Sequence, residues 1–321
     1  MKSKLIDIIC PIYNQEKHIS KFLLSLFNLD FDNINIILVD DGSTDRTASI
    51  INEVMSENVD KAFFYYKKNN GGAASARNYG MLHACSKYIW FCDPDDEVVG
   101  DLNPIFNILN ESNADIYFFN YIHYFEKNGY EFKRRAIMYG KYDIESVKDR
   151  LIQHRLNVGG ELNSFLIYPW DKIIKRSVIV NPFNEKLSVY EDQLFNFELI
   201  FSPYVKKVEF IDSEIYKYKT YLGNSSLSTS WTENKTSDFC FFINELILKF
   251  NLKPRALFKR EVFYIIKKIG GVAAFKTYIY THKQLGYDIF PLGTKNEIFK
   301  LFLISLHLYS NIIMLRDTFK S

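Results

Sequence analysis

Residues 34–45 run Ile34-Asn35-Ile36-Ile37-Leu38-Val39-Asp40-Asp41-Gly42-Ser43-Thr44-Asp45. A β-branched apolar run that stops on two carboxylates, a glycine and a serine reads as a buried strand opening into a polar loop. Thr44 or Asp45 can cap the helix-like stretch that follows, from about residue 45 to 55. The same unit recurs on both sides. Leu5 to Ile12 is a strand followed by Asn14 and a helix-like run from Glu16 to Phe27. Ala62 to Tyr66 is a strand followed by Asn69–Gly72 and a helix from Ala73 to Ala84; Tyr88 to Cys92 is a strand followed by Asp93–Asp96. Strands alternating with helices at this spacing imply βαβ units and a largely parallel sheet. In such sheets ligands bind at the carboxyl ends of the strands, so four polar loops point at one site.

After residue 100 the pattern loosens. A short helix from Leu102 to Leu109, a strand near Ile116–Ile122 and a hairpin turning at Asn128-Gly129 are expected, with further helix and strand text over 165–174, 190–200 and 205–218. From about Thr232 the sequence becomes helical and basic. No internal repeat is visible.

The 321 residues exceed one typical domain, and 47% hydrophobic with 24% charged residues excludes a disordered or collagenous chain. Residues 1–200 carry 22 Lys+Arg against 28 Asp+Glu, whereas residues 249–321 carry 13 against 4, so the terminal segment is a separate, basic electrostatic object. It suits an anionic membrane surface or a partner, and nucleic acid is not expected. Its longest apolar run, Phe299–Leu315, is interrupted by Lys300, His307 and Asn311, which fits an interfacial helix better than a spanning one. Aromatic content of 17%, from 28 Phe and 22 Tyr, exceeds what one core needs. The four cysteines show no paired metal-ligand spacing and read as reduced thiols of a cytoplasmic protein. The first strand-like run is too short and wrongly flanked for a secretory signal. The six histidines form no ligand constellation.

Asp93-Pro94-Asp95-Asp96, at the end of an apolar strand, places two carboxylates where both can face a hard divalent cation; a turn is the alternative reading. Asp40-Asp41-Gly42-Ser43 offers an acceptor carboxylate for a base or ribose, or an Asp-Gly turn with a helix cap. Asn70-Gly71-Gly72 with Arg77 combines close backbone approach, a helix N-terminus and a planar cation, which suits an anionic diphosphate. Glu191-Asp192 opens an apolar helix, where acidic residues also complement the helix dipole.

Taken together these residues resemble family-two inverting nucleotide-sugar glycosyltransferases with the GT-A fold, of the bacterial surface-polysaccharide type. The resemblance runs through Pro11-Ile12-Tyr13-Asn14 with Glu16, Val39 to Asp45, Gly72 to Gly80, Asp93 to Asp96, Trp170-Asp171-Lys172 and Glu191-Asp192. It implies a Rossmann-like, mostly parallel central sheet flanked by helices over residues 1–228, with a nucleotide-sugar half to about 100, an acceptor half after it, and a helical appendage over 229–321. It also implies a nucleotide site at Pro11, Tyr13, Glu16, Asp41, Gly72, Arg77 and Asp93, with Tyr13 flanking the base and Asp41 on its edge. Mn2+ or Mg2+ is implied at Asp95 with Asp93. The base that takes the acceptor proton is implied to be Asp192, with Glu191 contacting the acceptor or orienting the base, and Trp170 and Lys172 are implied to line the acceptor cleft; for Trp170 a place in the core is the competing reading. Lys219 stands where relatives often carry Arg, before Ser225, Ser226 and Ser228 of a closing loop. The implied reaction moves a sugar from a nucleoside diphosphate sugar, UDP-linked, to a glycan or lipid-linked acceptor at the cytoplasmic membrane face. The alternatives are a sugar nucleotidyltransferase, against which stands the missing glycine-rich loop after strand one, and an inactive nucleotide-sugar-binding scaffold.

Overall fold

A computed structural model describes residues 4–27, 29, 31–58, 63–136, 138–157, 165–221 and 233–252. Strands β1 (Ile6–Ile12) and β2 (Ile34–Asp40) are buried at every position, which is why both read as near-continuous apolar runs, broken by Asp7 and Asn35, which hydrogen-bond to each other. They pair in parallel, and β3 (Phe63–Lys67) and β4 (Tyr88–Phe91) extend the parallel set on either side. Between them run α1 (Ile19–Leu26), α2 (Thr47–Glu57) and α3 (Gly72–His83). Helix α1 buries Ile19, Phe22, Leu23 and Leu26, the i, i+3, i+4, i+7 stripe of an amphipathic helix on a sheet.

The second half adds β5 (Glu97–Val98), α4 (Asn103–Glu111), β6 (Ile116–Phe125), β7 (Tyr130–Arg134), β8 (Gly140–Asp143), α5 (Ile144–Asn157), β9 (Lys172–Lys175), α6 (Glu191–Ile200) and β10 (Lys207–Thr220). The order across the sheet is β3-β2-β1-β4-β9-β6-β10-β5, with β7 on β6 and β8 on β10. Strand β9 is antiparallel to both β4 and β6, while β6 and β10 are parallel. Strands β1–β4, β6 and β10 thus share one direction, as expected of a mostly parallel sheet, while β9 at its centre and β5, β7 and β8 run the other way. The β6–β7 hairpin turns at Asn128-Gly129, and Gly129 supplies the positive φ of 63° that the turn requires.

Contacts divide the chain into two units. The larger takes in residues 1–155, 159–187 and 191–224 and holds the sheet. The smaller is described over Ser188–Tyr190 and helix α7 (Glu233–Leu248), which buries Phe239, Phe242, Ile243 and Leu246 along one stripe. The expected boundary at 228, Ser225, Ser226, Ser228 and the basic segment from 253 onward lie outside the described residues. Among the described residues no helix is long and apolar enough to cross a membrane.

Helix α3 lies unusually close to the sheet. A Cβ added to Gly80 would fall 2.4 Å from Ile9 Cγ2 on β1, so only a hydrogen fits there. Gly80→Ala is expected to lower the unfolding free energy by about 1–3 kcal/mol and to displace the helix that carries Arg77. Denaturant unfolding measures the first effect; an unchanged midpoint would mean the helix can shift without cost.

Candidate active site

Three carboxylates meet one buried guanidinium. Arg77, on the sheet-facing side of α3, is 3% exposed. It donates to Asp93 Oδ1 at 3.0 Å and to Asp192 Oδ1 at 2.6 Å, and its NH1 nitrogen lies 3.8 Å from Glu191 Oε1. Its guanidinium rests 5.3 Å from the centroid of Phe183, a ring stacked in turn on Phe195 of α6. Asp93 leaves the carboxyl end of β4, while Glu191 and Asp192 open α6, so Arg77 joins two segments about a hundred residues apart.

The acidic run after β4 is split into separate duties. Tyr216 of β10 donates its hydroxyl to Asp96 Oδ2 at 2.8 Å and accepts the Asp93 N–H at 2.9 Å. The Lys219 N–H reaches Asp96 Oδ1 at 2.8 Å, and the Tyr221 hydroxyl donates to the Asp95 carbonyl at 2.7 Å. Asp96 is therefore the anchor that pins the loop to β10, while Asp93 turns to Arg77.

The electrostatics follow from one cation among several carboxylates. Burial opposes the charge on Arg77, but Asp192, Asp93 and Glu191 outweigh it and hold the guanidinium ionised. Burial raises the Glu191 carboxyl well above the ordinary range, and the neighbouring Asp192 raises it further against the pull of Arg77. Asp192 is raised by burial too, but Arg77 opposes this at close range. Burial and the charge of Asp93 push Asp95 up to about 6. Burial thus raises both carboxyls at the start of α6, and Arg77, 2.6 Å from Asp192 Oδ1, opposes that rise.

Asp93 and Asp95 fit a hard divalent cation: both offer oxygen ligands, and the ionisation of Asp95 is penalised by burial and like charge that a cation would offset. Among the described residues no group of three or more His, Cys, Asp or Glu side chains is arranged to hold a metal. A bound diphosphate and water could complete the coordination begun by these two carboxylates.

The other residues expected at a nucleotide site lie at the ends of β1 to β3. Pro11 is buried in β1, and Tyr13, just beyond it, is 48% exposed. Glu16 Oε2 accepts the Arg46 N–H at 3.2 Å and pairs with its guanidinium at 3.3 Å, and the Asn14 N–H donates to Ser43 Oγ at 3.0 Å. These bonds stitch the first two loops together. Asp41 is 2% exposed and accepts from Lys68 Nζ at 2.6 Å, from Gly71 N–H at 3.0 Å and from Gly72 N–H at 2.7 Å. Both its oxygens are engaged, so a base edge reaches Asp41 only by displacing Lys68 or the glycine loop. Gly72 has φ of 87° and open space where a Cβ would stand, which leaves its backbone accessible.

Two expected acceptor residues are buried, Lys172 close enough to Asp192 for their charges to interact. Trp170 is 1% exposed, stacked on Tyr168 and Tyr216 at 4.7 Å and on Tyr218 at 5.2 Å, with its carbonyl taken by the Trp90 indole N–H at 2.8 Å. It belongs to the core and has no face free for a sugar. Lys172 is also 1% exposed and pairs with Asp171 at 2.5 Å and with the Tyr168 carbonyl. Burial lowers its pKa, against the pull of Asp171. Sequence reading missed Tyr216 and Lys68, because a tyrosine inside a strand and a lysine beside a glycine loop carry no local signal of the partners that long-range folding brings them.

A mostly parallel sheet with its acidic and glycine loops gathered at the carboxyl strand ends, closed by an acidic pair from a later helix, defines a GT-A glycosyltransferase. The chain belongs to the family described as glycosyl transferase family 2, whose model matches residues 7–179. It is 30% identical over 233 residues to glycosyltransferase GlyA of Streptococcus pneumoniae serotype 4, covering 71% of this chain and 32% of GlyA. The chain therefore spans about a third of that relative's length. The fold is similar to that of Staphylococcus aureus TarS 1–349 in complex with UDP-GlcNAc, with a TM-score of 0.58 at 19% identity over 94% of this chain and 79% of that one. It is also similar to the mannosyltransferase PcManGT of Pyrobaculum calidifontis in complex with GDP-Man and Mn2+, with a TM-score of 0.54 at 13% identity over 96% of this chain and 88% of that one.

Proposed function

We propose that the protein transfers a sugar from a nucleoside diphosphate sugar, UDP-linked, to a hydroxyl of a glycan or lipid-linked acceptor, with inversion at the anomeric carbon. The observation that carries the reading is the Arg77 cluster, which places the donor-side Asp93 and the acidic pair Glu191-Asp192 on one cation. The UDP-GlcNAc complex of TarS supports the donor class, and the Mn2+ complex of PcManGT supports a divalent metal.

Arg77 binds Asp192 through Oδ1, and we assign Oδ2 to the acceptor proton. As the acceptor oxygen forms its bond to the anomeric carbon, its proton passes to Asp192. The bond from that carbon to the diphosphate oxygen breaks on the opposite face, and its electron pair leaves with the nucleoside diphosphate. A divalent cation, Mn2+ or Mg2+, at Asp95 with Asp93 supplies Lewis-acid stabilisation of that departing charge. Tyr13 flanks the base, Asp41 holds the glycine loop around it, and the exposed backbone at Gly72 lies along the diphosphate path.

Because Asp192 works ionised and its pKa is raised, activity is expected to fall as pH drops through a value above the ordinary carboxylate figure of about 4. Glu191→Gln keeps the shape of a side chain assigned to orient the base, so it should retain at least about a tenth of kcat at pH 7, while loss of the base itself would cost roughly 10²–10⁴. Initial-rate pH profiles of both proteins check this; a Glu191→Gln loss as deep as that of Asp192→Asn would exchange the two roles.

The basic terminal segment supports docking on the anionic cytoplasmic face of a membrane, where lipid-linked acceptors reside. Reversing Lys259, Arg260, Lys267 and Lys268 to Glu should lower co-sedimentation with anionic vesicles severalfold; equal partitioning at low salt would reject that docking.

A further inference from the structure

A left-handed residue stands directly before the acidic pair. Tyr190 has φ of 69°, a conformation that bulky side chains rarely adopt and that persists only where its surroundings enforce it. Within the smaller unit that enforcement is explicit. Asp238 of α7, 9% exposed, accepts through Oδ2 the Ser188 N–H at 2.8 Å, the Ser188 hydroxyl at 2.6 Å and the Val189 N–H at 3.2 Å. Phe242 stacks on the Tyr190 ring at 5.2 Å with 13° between planes, and Phe239 lies 5.6 Å from it. Three successive residues, 188 to 190, are therefore gripped by side chains of α7, and residue 190 is peptide-bonded to Glu191.

The bulk of the evident chemistry needs none of these residues, yet a carboxylate in charge-assisted bonds and a strained tyrosine are costly features to place at an ordinary loop. We propose that α7 is a positioning element for the base: by holding Ser188 and Val189 on Asp238 and Tyr190 on two phenylalanines, it fixes the left-handed turn that sets where the chain enters α6 and where the Asp192 carboxylate stands. The inference rests on the reading of Asp192 as the base. Asp238 and Tyr190 touch no reacting atom and act through Asp192. A reacting group displaced by about 1 Å costs on the order of a hundredfold in rate, so a positioning element of this kind is read in kcat and not in donor binding.

The test uses the full chain and whichever of UDP-glucose, UDP-galactose, UDP-GlcNAc and UDP-GalNAc the wild type turns over, scored by UDP release with Mn2+. Asp238→Ala and Tyr190→Ala are expected to lower kcat about 10- to 100-fold, with donor KM and the calorimetric UDP affinity within about threefold. Asp238→Asn keeps an oxygen for the Ser188 and Val189 N–H groups, and Tyr190→Phe keeps the ring. Both should bring kcat back to within about fivefold of wild type. A readout that needs no donor is the 13C titration of the Glu191 and Asp192 carboxyls, which the alanine variants should shift and the conservative ones should not. Alanine variants that keep kcat and both titrations overturn the proposal. So does a fall in kcat matched by the fall in UDP affinity and Tm, with no rescue by the conservative pair, which is the signature of a structural role alone. Asp192→Asn separates the two layers: if it remains active, the base assignment fails; if it is inactive while the alanine variants turn over normally, only the role of α7 fails.

Discussion

Asp192→Asn is expected to lower transfer by roughly 10²–10⁴-fold while UDP affinity stays within about threefold of wild type. The asparagine oxygen still accepts from Arg77, so the 2.6 Å contact that orients the side chain has a neutral replacement of the same shape. What disappears is the ionisable oxygen that takes the acceptor proton. Removing one negative charge from a cluster in which a single guanidinium faces Asp93, Glu191 and Asp192 should also leave Tm unchanged or higher. Stopped UDP-release assays and calorimetry give both numbers. A large loss of UDP affinity with modest loss of turnover would move Asp192 to the donor side.

Asp95→Asn should be nearly as damaging to turnover and should raise the stability of the metal-free protein. Burial and Asp93 hold the folded-state pKa of Asp95 at about 6, above the value of about 3.9 for an unfolded chain. The folded state therefore binds this proton more tightly, and the opposition to folding grows as pH rises from about 4 to 6 and is complete above that. Asparagine removes the opposition. Discounting for the partial exposure of the group, the metal-free variant at pH 8 should melt roughly 2–4 °C higher, the shift expected from about 1 kcal/mol in a chain of this size. It should also lose the rise in Tm that Mn2+ with UDP gives the wild type, since a ligand that binds only the folded state stabilises it by mass action. Retained Mn2+ stabilisation would place the metal on other residues.

The first hundred residues were legible because β1, β2 and β4 are buried on both faces and end in polar text, so period and punctuation agree. The reversed strand β9 was not, because Lys172-Ile173-Ile174-Lys175 is four residues with no periodicity to assign its direction. Within the site, sequence picked out the acidic run at 93–96 but had no means of dividing it. Asp93 goes to Arg77 and Asp96 to Tyr216 and Lys219 through partners 16 to 123 positions away. Trp170 failed as a sugar platform for the same reason: Tyr216 and Tyr218, which cover it, come from another strand. Asp41 was singled out as an acceptor for a base edge or ribose, and the local text does not show that Gly71, Gly72 and Lys68 engage both its oxygens.

The most direct test of the account is real-time 1H NMR of the anomeric proton during turnover of an α-linked UDP-sugar of gluco or galacto configuration, with Mn2+ and with water or a simple glycoside as acceptor. The account predicts that the β-anomer forms first, with its large H1–H2 coupling, and that Asp192→Asn forms none at a measurable rate. Initial appearance of the α-anomer, or equal product from the Asp192→Asn protein, would contradict it.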